Sequence, residues 1–591
     1  MLEQLTLLVK PHLASLNEGY FQSTYASYQT YKNQGSVSGS ISESAQAKLS
    51  MGYETRDGFS KNLYNNETQD GINRFVSRAQ LSMQPNDRLN IDVYADYAKI
   101  NQNSLIEETT TAMFGVPYAS GPLPNYTINS DGNHQLTNRL SGINLNSQYS
   151  LANGNMITSI SGYRNTHQAR LADDDFTTAD LLDLYFRDDF KQISQEVRIA
   201  SPSDNALRYV AGVYLMHEKA ESYRSATLGK DASALVNFPG IAAPIVFDTL
   251  FGLTPGALVP VAGSINTRSY AAFGSVDYDV APFATLNLGA RYTHENKDLE
   301  YQLDGTQSGA LAIASVNNYQ DSFSDHHLSP MVGMTFKLNQ QHNLYLKYAS
   351  GFKSGGWNVD FLTNSQIANG FRFNKETVDS YEIGLKGNSA NKRMQYDVAL
   401  FLSRYNDYQV FQLVKVGAGN ELQLHNAAQA ESKGLEGHVT ALIADGLKMG
   451  ASLGLLDATY SSFPDALKLS EDAAGRPLSE APKVTAALTM QYTFSAPSLA
   501  GSITLYGEDS YRSKSYSGLD SDPSTFEVPS HHLINARAAY LNDNKHLELS
   551  LYATNLFDEN YITFHGRDFL GAGVIKRGDP QMIGVEVTYS L

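Results

Sequence analysis

The stretches HLELSLYATNLFDENY, His546 to Tyr561, and PQMIGVEVTYSL, Pro580 to Leu591, decide the fold. In the first, Leu547, Leu549 and Leu551 alternate with Glu548, Ser550 and Tyr552. In the second, Ile583, Val585, Val587, Tyr589 and Leu591 share one parity. A period of two carried to the last residue places the end of the chain inside a β-sheet. Soluble domains usually end in loose tails. An apolar-out, polar-in closing strand is instead what a barrel needs to seal its last strand against its first.

The same pattern recurs from Gly19 onward. IDVYADY (Ile91 to Tyr97), TLNLGARYT (Thr285 to Thr293), NLYLKYA (Asn343 to Ala349) and YDVALFLSR (Tyr396 to Arg404) each set an apolar face against a mixed polar one. Short polar turns fall near Glu43, Asn86, Gly154, Pro202, Pro282, Gln340, Asn391, Asp445, Pro497 and Asn542. Longer connections are expected around residues 58–70, 102–133, 170–186, 222–266, 298–324, 355–375, 410–425, 463–480, 514–528 and 560–579. A strict short-long alternation separates two membrane faces, with tight periplasmic turns and long extracellular loops. The spacing predicts an all-β, transmembrane antiparallel β-barrel of about 22 strands. A barrel of that width has a lumen that transporters of this size keep plugged.

Composition agrees with one β architecture. A soluble chain of 591 residues would be expected to split into several domains, yet no Pro-rich, Ser-rich or charged linker divides it. There is no cysteine, which excludes disulfides and thiolate metal sites. A net charge of −17 without basic clusters argues against nucleic acid. The 36 tyrosines suit strands that cross a membrane interface. A negative mean hydropathy is compatible with a barrel, in which only alternate residues face lipid. No run of about 20 apolar residues forms a transmembrane helix. The N-terminus MLEQLTLLVKPHL lacks a small-residue cleavage site and does not read as a signal peptide.

Five segments then occur in a recognisable order: YASGFKSGGWN (Tyr348 to Asn358), ETVDSYEIGLKG (Glu376 to Gly387), YDVALFLSRYNDYQV (Tyr396 to Val410), NAAQAESKGLEG (Asn426 to Gly437) and NLFDENY (Asn555 to Tyr561). In that order they resemble the β-barrel domain of TonB-dependent outer-membrane receptors, from about Asn17 to the end. NEGYFQSTYASYQTYKNQGSVSGSIS, Asn17 to Ser42, resembles the first hairpin of that family. The resemblance implies uptake of a scarce ligand, most often a ferric siderophore or another iron complex. It also implies a lumen-filling plug preceded by a TonB box. Only Met1 to Leu16 stands before the first expected strand, so residues 1–16 are read as an N-terminal remnant without plug or signal peptide, and 17–591 as the barrel. Family members typically end in phenylalanine, read by the barrel-assembly machinery. With Leu591 in its place, assembly is expected to be weakened at most.

Read from the residues, the family segments are mainly structural. Gly351, Gly355 and Gly356 remove side chains where a strand leaves the barrel, Phe352 and Trp357 anchor at the rim, and Asn555 and Asp558 bond local backbone. The pairs His326-His327 and His531-His532 invite a metal, but strand neighbours point to opposite faces, so surface or lumen histidines are the favoured reading. Asp173, Asp174 and Asp175, near Asp188 and Asp189, could bind calcium or reach lipopolysaccharide through bridging cations. A solvated acidic loop is favoured, because no EF-hand Gly or terminal Glu follows. The apolar, Pro-interrupted stretch within Glu221 to Asn266 reads as a loop packed on its neighbours in preference to a ligand lid. No G-x-S-x-G, H-E-x-x-H or phosphate-binding loop appears, so no catalytic, cofactor or metal residue is assigned and the protein is not expected to be an enzyme.

The reading is therefore an outer-membrane receptor barrel for an iron complex. Its expected partners are membrane lipid and lipopolysaccharide, the barrel-assembly machinery, and the TonB complex where a plug is supplied. The competing readings are a plugless diffusion channel or surface binding barrel, an inactive fragment, and a soluble multidomain β protein. The loops carry ligand choice, and no residue in them names the ligand.

Overall fold

The computed structural model describes residues 18–103, 108–109, 124–132, 134–173, 175–231, 235–236, 245–246, 254–309, 313–416, 419–464, 466, 472–519, 526–567 and 573–591. Among them, 22 strands form one closed antiparallel sheet. The first eleven are β1 Glu18–Ala26, β2 Thr30–Ser42, β3 Ala45–Arg56, β4 Ile72–Asn86, β5 Leu89–Gln102, β6 Gln135–Ser150, β7 Met156–Asp173, β8 Leu182–Ala200, β9 Leu207–Leu228, β10 Leu258–Ala281 and β11 Ala284–Asp304. The rest are β12 Ser315–Lys337, β13 His342–Lys353, β14 Glu376–Asn388, β15 Met394–Val416, β16 Gly419–Ala444, β17 Leu447–Ser462, β18 Val484–Ala496, β19 Gly501–Arg512, β20 His531–Asn542, β21 Leu547–Thr554 and β22 Met582–Ser590.

The closing strand seals the barrel. β22 pairs with β21 from Leu547↔Tyr589 to Thr554↔Met582, and with β1 from Tyr20↔Ser590 to Ala26↔Gly584. Ile583, Val585, Val587 and Tyr589 are exposed on the outer face together with Leu549 and Leu551, where lipid covers them. The opposite parity is polar. Arg537 of β20 donates to Glu548 at 2.6 Å and Glu586 at 3.1 Å, and Gln22 Nε2 donates to Thr588 Oγ1 at 3.1 Å. The last residue takes part, since the Leu591 amide donates to the Gly19 carbonyl at 2.8 Å. Closure leaves no edge whose backbone groups would face hydrocarbon unpaired.

All ten expected short turns join consecutive barrel strands on one face. The other face departs from the expected alternation in two ways. β1 and β2 join through only Ser27–Gln29, a tight turn among the long connections. Several strands also rise further than expected. β15 and β16 stay paired to Val416↔Gly419, so the loop expected at 410–425 is a tall hairpin. The connections expected at 170–186 and 298–324 shrink to the gaps after Asp173 and Asp304, and β9 and β10 run to Leu228 and from Leu258. The cause is physical: above the bilayer no lipid selects an apolar outer face, and where alternation persists, as in Leu299, Tyr301 and Leu303 of β11, the apolar parity turns inward, so the ladder continues without a lipid-facing stripe. Residues 1–16, and most of the apolar stretch between β9 and β10, lie outside the described residues.

Candidate functional site

On β9 to β12, exposed residues such as Leu215, Tyr270, Tyr292 and Leu328 mark the outer face, and the opposite parity lines the lumen. At the extracellular end of that inner wall, Val259, Val261, Leu299, Tyr301 and Leu303 are buried, although they face a lumen. The connection from β13 to β14, residues 354–375, covers them. It contributes Trp357, Leu362 and Phe371 to the same cluster.

Local sequence shapes this connection. Gly355 allows a close turn, because a Cβ there would come within 2.6 Å of the Phe373 carbonyl oxygen. Gly356 and Trp357 then pair with Phe373 and Arg372 in a two-residue ribbon. A single helical turn, Asn364–Asn369, opens with a capping box: the Gln366 amide donates to Thr363 Oγ1 at 3.3 Å and the Thr363 amide to Gln366 Oε1 at 2.7 Å. It ends at Gly370 with φ 81°, where a side chain would be strained.

Polar latches hold the loop to the wall. Trp357 Nε1 donates to Asp321 at 2.8 Å, and its ring meets Phe323 edge-on at 4.7 Å. Tyr301 Oη donates to the Asp360 carbonyl at 2.7 Å. Arg224 reaches the Val359 carbonyl and the Asp360 carboxylate, and Lys297 Nζ donates to Ser354 Oγ at 2.6 Å and the Gly355 carbonyl at 2.9 Å. Asn358 exchanges two bonds with the Leu424 backbone on β16. Burial pushes the Asp360 carboxyl above its usual range, although Arg224 counteracts this. The loop thus joins the inner faces of β9, β11, β12 and β16.

A second aromatic cluster lies on β15 to β17. Asp407, with φ 53°, interrupts the extended backbone of β15 without shifting its register, and Tyr408 beside it meets Tyr405 and Tyr460, which in turn meets Phe463. Above the point where β17 leaves β18, the 463–483 connection supplies the missing partner: the Leu478 amide donates to the Ala458 carbonyl at 3.0 Å. The mouth of the lumen beside these two clusters is the vestibule: rings lie on both sets of strands, and Arg224, Lys297, Asp321 and Asp325 are bonded to the 354–375 loop, a composition suited to a ligand with both rings and charged oxygens.

Over the β1–β22 seam the loops join into a canopy. Ile562–Arg567 and Gly573–Arg577 form a hairpin, and Glu108–Thr109 adds a third strand. Lys61 and Asn62 pair in parallel with Thr127 and Ile128. Arg577 Nε donates to Glu108 at 2.8 Å, with both side chains largely buried. The Tyr126 amide also bonds Glu108 at 2.7 Å, and its hydroxyl bonds the Gly578 carbonyl at 2.9 Å. Burial pushes Tyr126 up to about 12.

The sequence candidates separate into different roles. Asp173 and Asp175 are buried, at 2% and 1% exposure, which corrects the expectation of a solvated acidic loop. Asp173 accepts the amides of Gly132, Asp175 and Phe176, and Asp175 accepts those of Thr177, Leu181 and Leu182. They act as fasteners for loop backbone, much as an Asx turn does. Asp174 lies outside the described residues. Asp188 takes the Ser222 hydroxyl, whereas Asp189 pairs with His167 at 2.7 Å and Arg187 at 3.4 Å. Among the described residues, no three His, Cys, Asp or Glu side chains converge as a metal site. His531 lies tilted against Tyr561 and His532 against Tyr511; His327 lies against Phe352, while the carbonyl of the exposed His326 accepts from Lys375. Trp357 was expected at the rim and is instead 5% exposed at the centre of the loop cluster. Arg224 and Phe323 carried no sequence signal, whereas Leu299, Tyr301 and Leu303 alternate with Glu300, Gln302 and Asp304 and so could have been found as the top of a strand.

Burial, helped by the nearby Asp173 and Asp180 carboxylates, pushes Asp131 up to about 6. A carboxyl raised in this way favours the folded loop most below its unfolded value near 3.8, and the contribution is lost as pH rises through about 6. Hydrogen exchange in residues 124–132, corrected for intrinsic rates, is therefore expected to be slower at pH 4.5 than at pH 7.5. Asp131→Asn should remove that part of the difference; an unchanged pH dependence would show that another group sets it. Burial lowers the pKa of His134 and works in the opposite sense, but it is common to both proteins.

A family description, TonB dependent receptor-like, beta-barrel, matches residues 11–556. The chain is 23% identical over 292 residues to a probable TonB-dependent siderophore receptor, PiuA, of Acinetobacter baumannii, covering 48% of this chain and 36% of that protein. It is 24% identical over 304 residues to the ferric-pyoverdine BN7/BN8 receptor of Pseudomonas putida, covering 51% and 32%. The chain thus matches about a third of the length of these curated relatives. Among solved structures, the ferric yersiniabactin uptake receptor FyuA of Yersinia pestis superposes with a TM-score of 0.79 at 15% identity, covering 99% of this chain and 81% of that one. The siderophore receptor PiuA of A. baumannii gives 0.73 at 16%, covering 98% and 82%.

Proposed function

Because the chain belongs to the TonB-dependent receptor-like β-barrel family, and so forms a bacterial outer-membrane barrel rather than an enzyme, we propose that it captures a ferric siderophore or a comparable iron complex at its extracellular vestibule for uptake. The observation that supports this most is the 354–375 loop, folded against the inner wall with Trp357 and Phe371 beside Arg224 and Lys297. The partly buried rings packed on that cluster, Tyr319, Phe323 and Phe361, would take the apolar parts of a chelate, and the cations balance the anionic oxygens around ferric iron. The siderophore-receptor relatives support the same ligand class.

Passage through the lumen would be energised by TonB acting on a plug. We place that plug upstream of the barrel or on another polypeptide, and the coding sequence preceding Met1 distinguishes the two. Lipopolysaccharide and the barrel-assembly machinery are the proposed partners in the membrane and during insertion.

Trp357 is the only tryptophan and therefore a built-in reporter. Titrating the purified barrel with ferric siderophores of catecholate, hydroxamate and mixed type should give saturable quenching for one class and not for its iron-free form. Linear, class-independent quenching would reject capture at this loop.

A further inference from the structure

We infer that the iron complex proposed above is an amphiphile: its acyl chain lies in a groove on the lipid-facing wall, and its chelating head reaches the vestibule through a slot between β12 and β13. The slot arises where two ladders part. β12 pairs with β11 along almost its whole length, from Ala284↔Phe336 to Asp304↔Ser315. β13 pairs with β14 up to Lys353↔Glu376. Between them, β12 and β13 share only the rungs from Lys337↔Asn343 to Met331↔Ala349. Pro330 stands at the next position of β12 and has no N–H for a further rung. Above it the two strands diverge: a Cβ on Gly351 would meet Val378 of β14 at 3.5 Å and nothing of β12.

The slot opens at the top of the lipid band. Leu328, 58% exposed, is the last apolar residue of that band on β12, and beside the slot Tyr348 Oη of β13 donates to Asp379 at 2.8 Å. Two rings close the slot, His327 and Phe352, with centroids 4.8 Å apart. Lys375 Nζ adds one bond, to the His326 carbonyl at 2.8 Å. His327 Nε2 is buried there without a hydrogen-bond partner among the described residues. An orphaned polar atom is costly, so this closure is weak beside the backbone ladders that flank it. Behind it stands the base of the 354–375 loop, where the Gly355 amide donates to Asp325 at 3.0 Å and Trp357 Nε1 to Asp321 at 2.8 Å.

The groove lies just below, on the outside of the wall. Val332, Leu346, Tyr381, Ile383 and Leu400 line about 680 Å³ of it, and each is exposed toward lipid. Its upper end is marked by Val332 and Tyr348, one rung below the last that joins β12 to β13. Groove, slot and vestibule therefore make one path from hydrocarbon to the loop that carries Trp357. A chelate without a chain fits only the vestibule, and a membrane lipid only the groove. A chelate with an acyl chain fills both. This inference rests on capture at the 354–375 loop and adds the class of complex captured there.

The test follows Trp357 quenching with two matched pairs of ferric chelates, a dihydroxamate and a triscatecholate, each with and without a decanoyl chain. The protein has no cysteine, so H327C/F352C can be joined by a short bismaleimide and compared with itself before joining. Burying one methylene strengthens binding about fourfold, so keeping two or more out of the groove should weaken the decanoyl form more than about tenfold. The chain-free form should bind as before. V332F/I383F, which fills the groove and leaves the slot alone, should have the same selective effect. Equal binding of the decanoyl form before and after joining would overturn the inference, since the groove would then hold membrane lipid only. Equal loss of both forms would overturn it too. If H327C/F352C fails to assemble, V332F/I383F decides. Quenching by neither chain-free chelate would overturn capture at the loop and this inference with it, a result distinct from failure of the slot alone.

Discussion

Trp357→Ala is expected to release the 354–375 loop from the inner wall. The indole is buried, packs edge-on against Phe323 and donates to Asp321. Truncation leaves a cavity against Phe323 and Phe371 and strands the Asp321 carboxylate, and losses of this kind cost about 3 to 5 kcal/mol. Docking of the loop should weaken by more than a hundredfold, since about 1.4 kcal/mol is a factor of ten. The barrel itself should persist, because its 22 pairings do not pass through this loop. Protease cleavage within 354–375 should accelerate accordingly while the strands stay resistant, and Trp357→Phe should recover part of the protection. Unchanged cleavage would mean that the latches of Arg224, Tyr301 and Lys297 hold the loop without the indole.

Arg577→Met is expected to have a comparable effect at the canopy. Arg577 and Glu108 are 14% and 9% exposed and join segments 469 positions apart. Removing the guanidinium leaves a buried carboxylate without its counterion, a change that costs about 3 to 5 kcal/mol where the pair is fully enclosed. The Tyr126 amide still bonds Glu108 and limits the loss. Hydrogen exchange should rise in 573–577 and 124–128 together, since Tyr126 and the hairpin share this anchor. Glu108→Gln with Arg577→Met should restore much of the protection, because a neutral pair has no charge to strand. Exchange that rises in one segment alone would show that the canopy is not a single unit.

Within the bilayer the sequence could be read almost strand by strand, because lipid on one side and water on the other impose a period of two on every crossing. Ile583, Val585, Val587 and Tyr589 sit where their parity places them, and each of the ten periplasmic turns falls where Pro, Gly, Asn or a neighbouring polar residue marks it. Above the bilayer that selection ends. The tops of β15 and β16 run through QVFQLVKV and NELQLHNA without a lipid-facing stripe, so a continuing ladder resembles a loop. The vestibule was hidden for a related reason. Trp357 was marked by its motif, but its burial depends on Phe323, Tyr301 and Phe371, three residues that meet only when β11, β12 and the loop come together. Asp173 and Asp175 were visible as an acidic run, yet their role as acceptors for loop amides depends on the fold around them.

The most direct test of the central claim is accumulation of radioactive iron, presented as the ferric siderophore that quenches Trp357, in iron-starved cells with the locus intact, deleted and restored. Capture and uptake by this barrel predict that accumulation falls to background on deletion, returns on complementation, and disappears when the proton-motive force is dissipated. Accumulation that survives deletion unchanged, with the barrel assembled in the outer membrane of the intact strain, would contradict it.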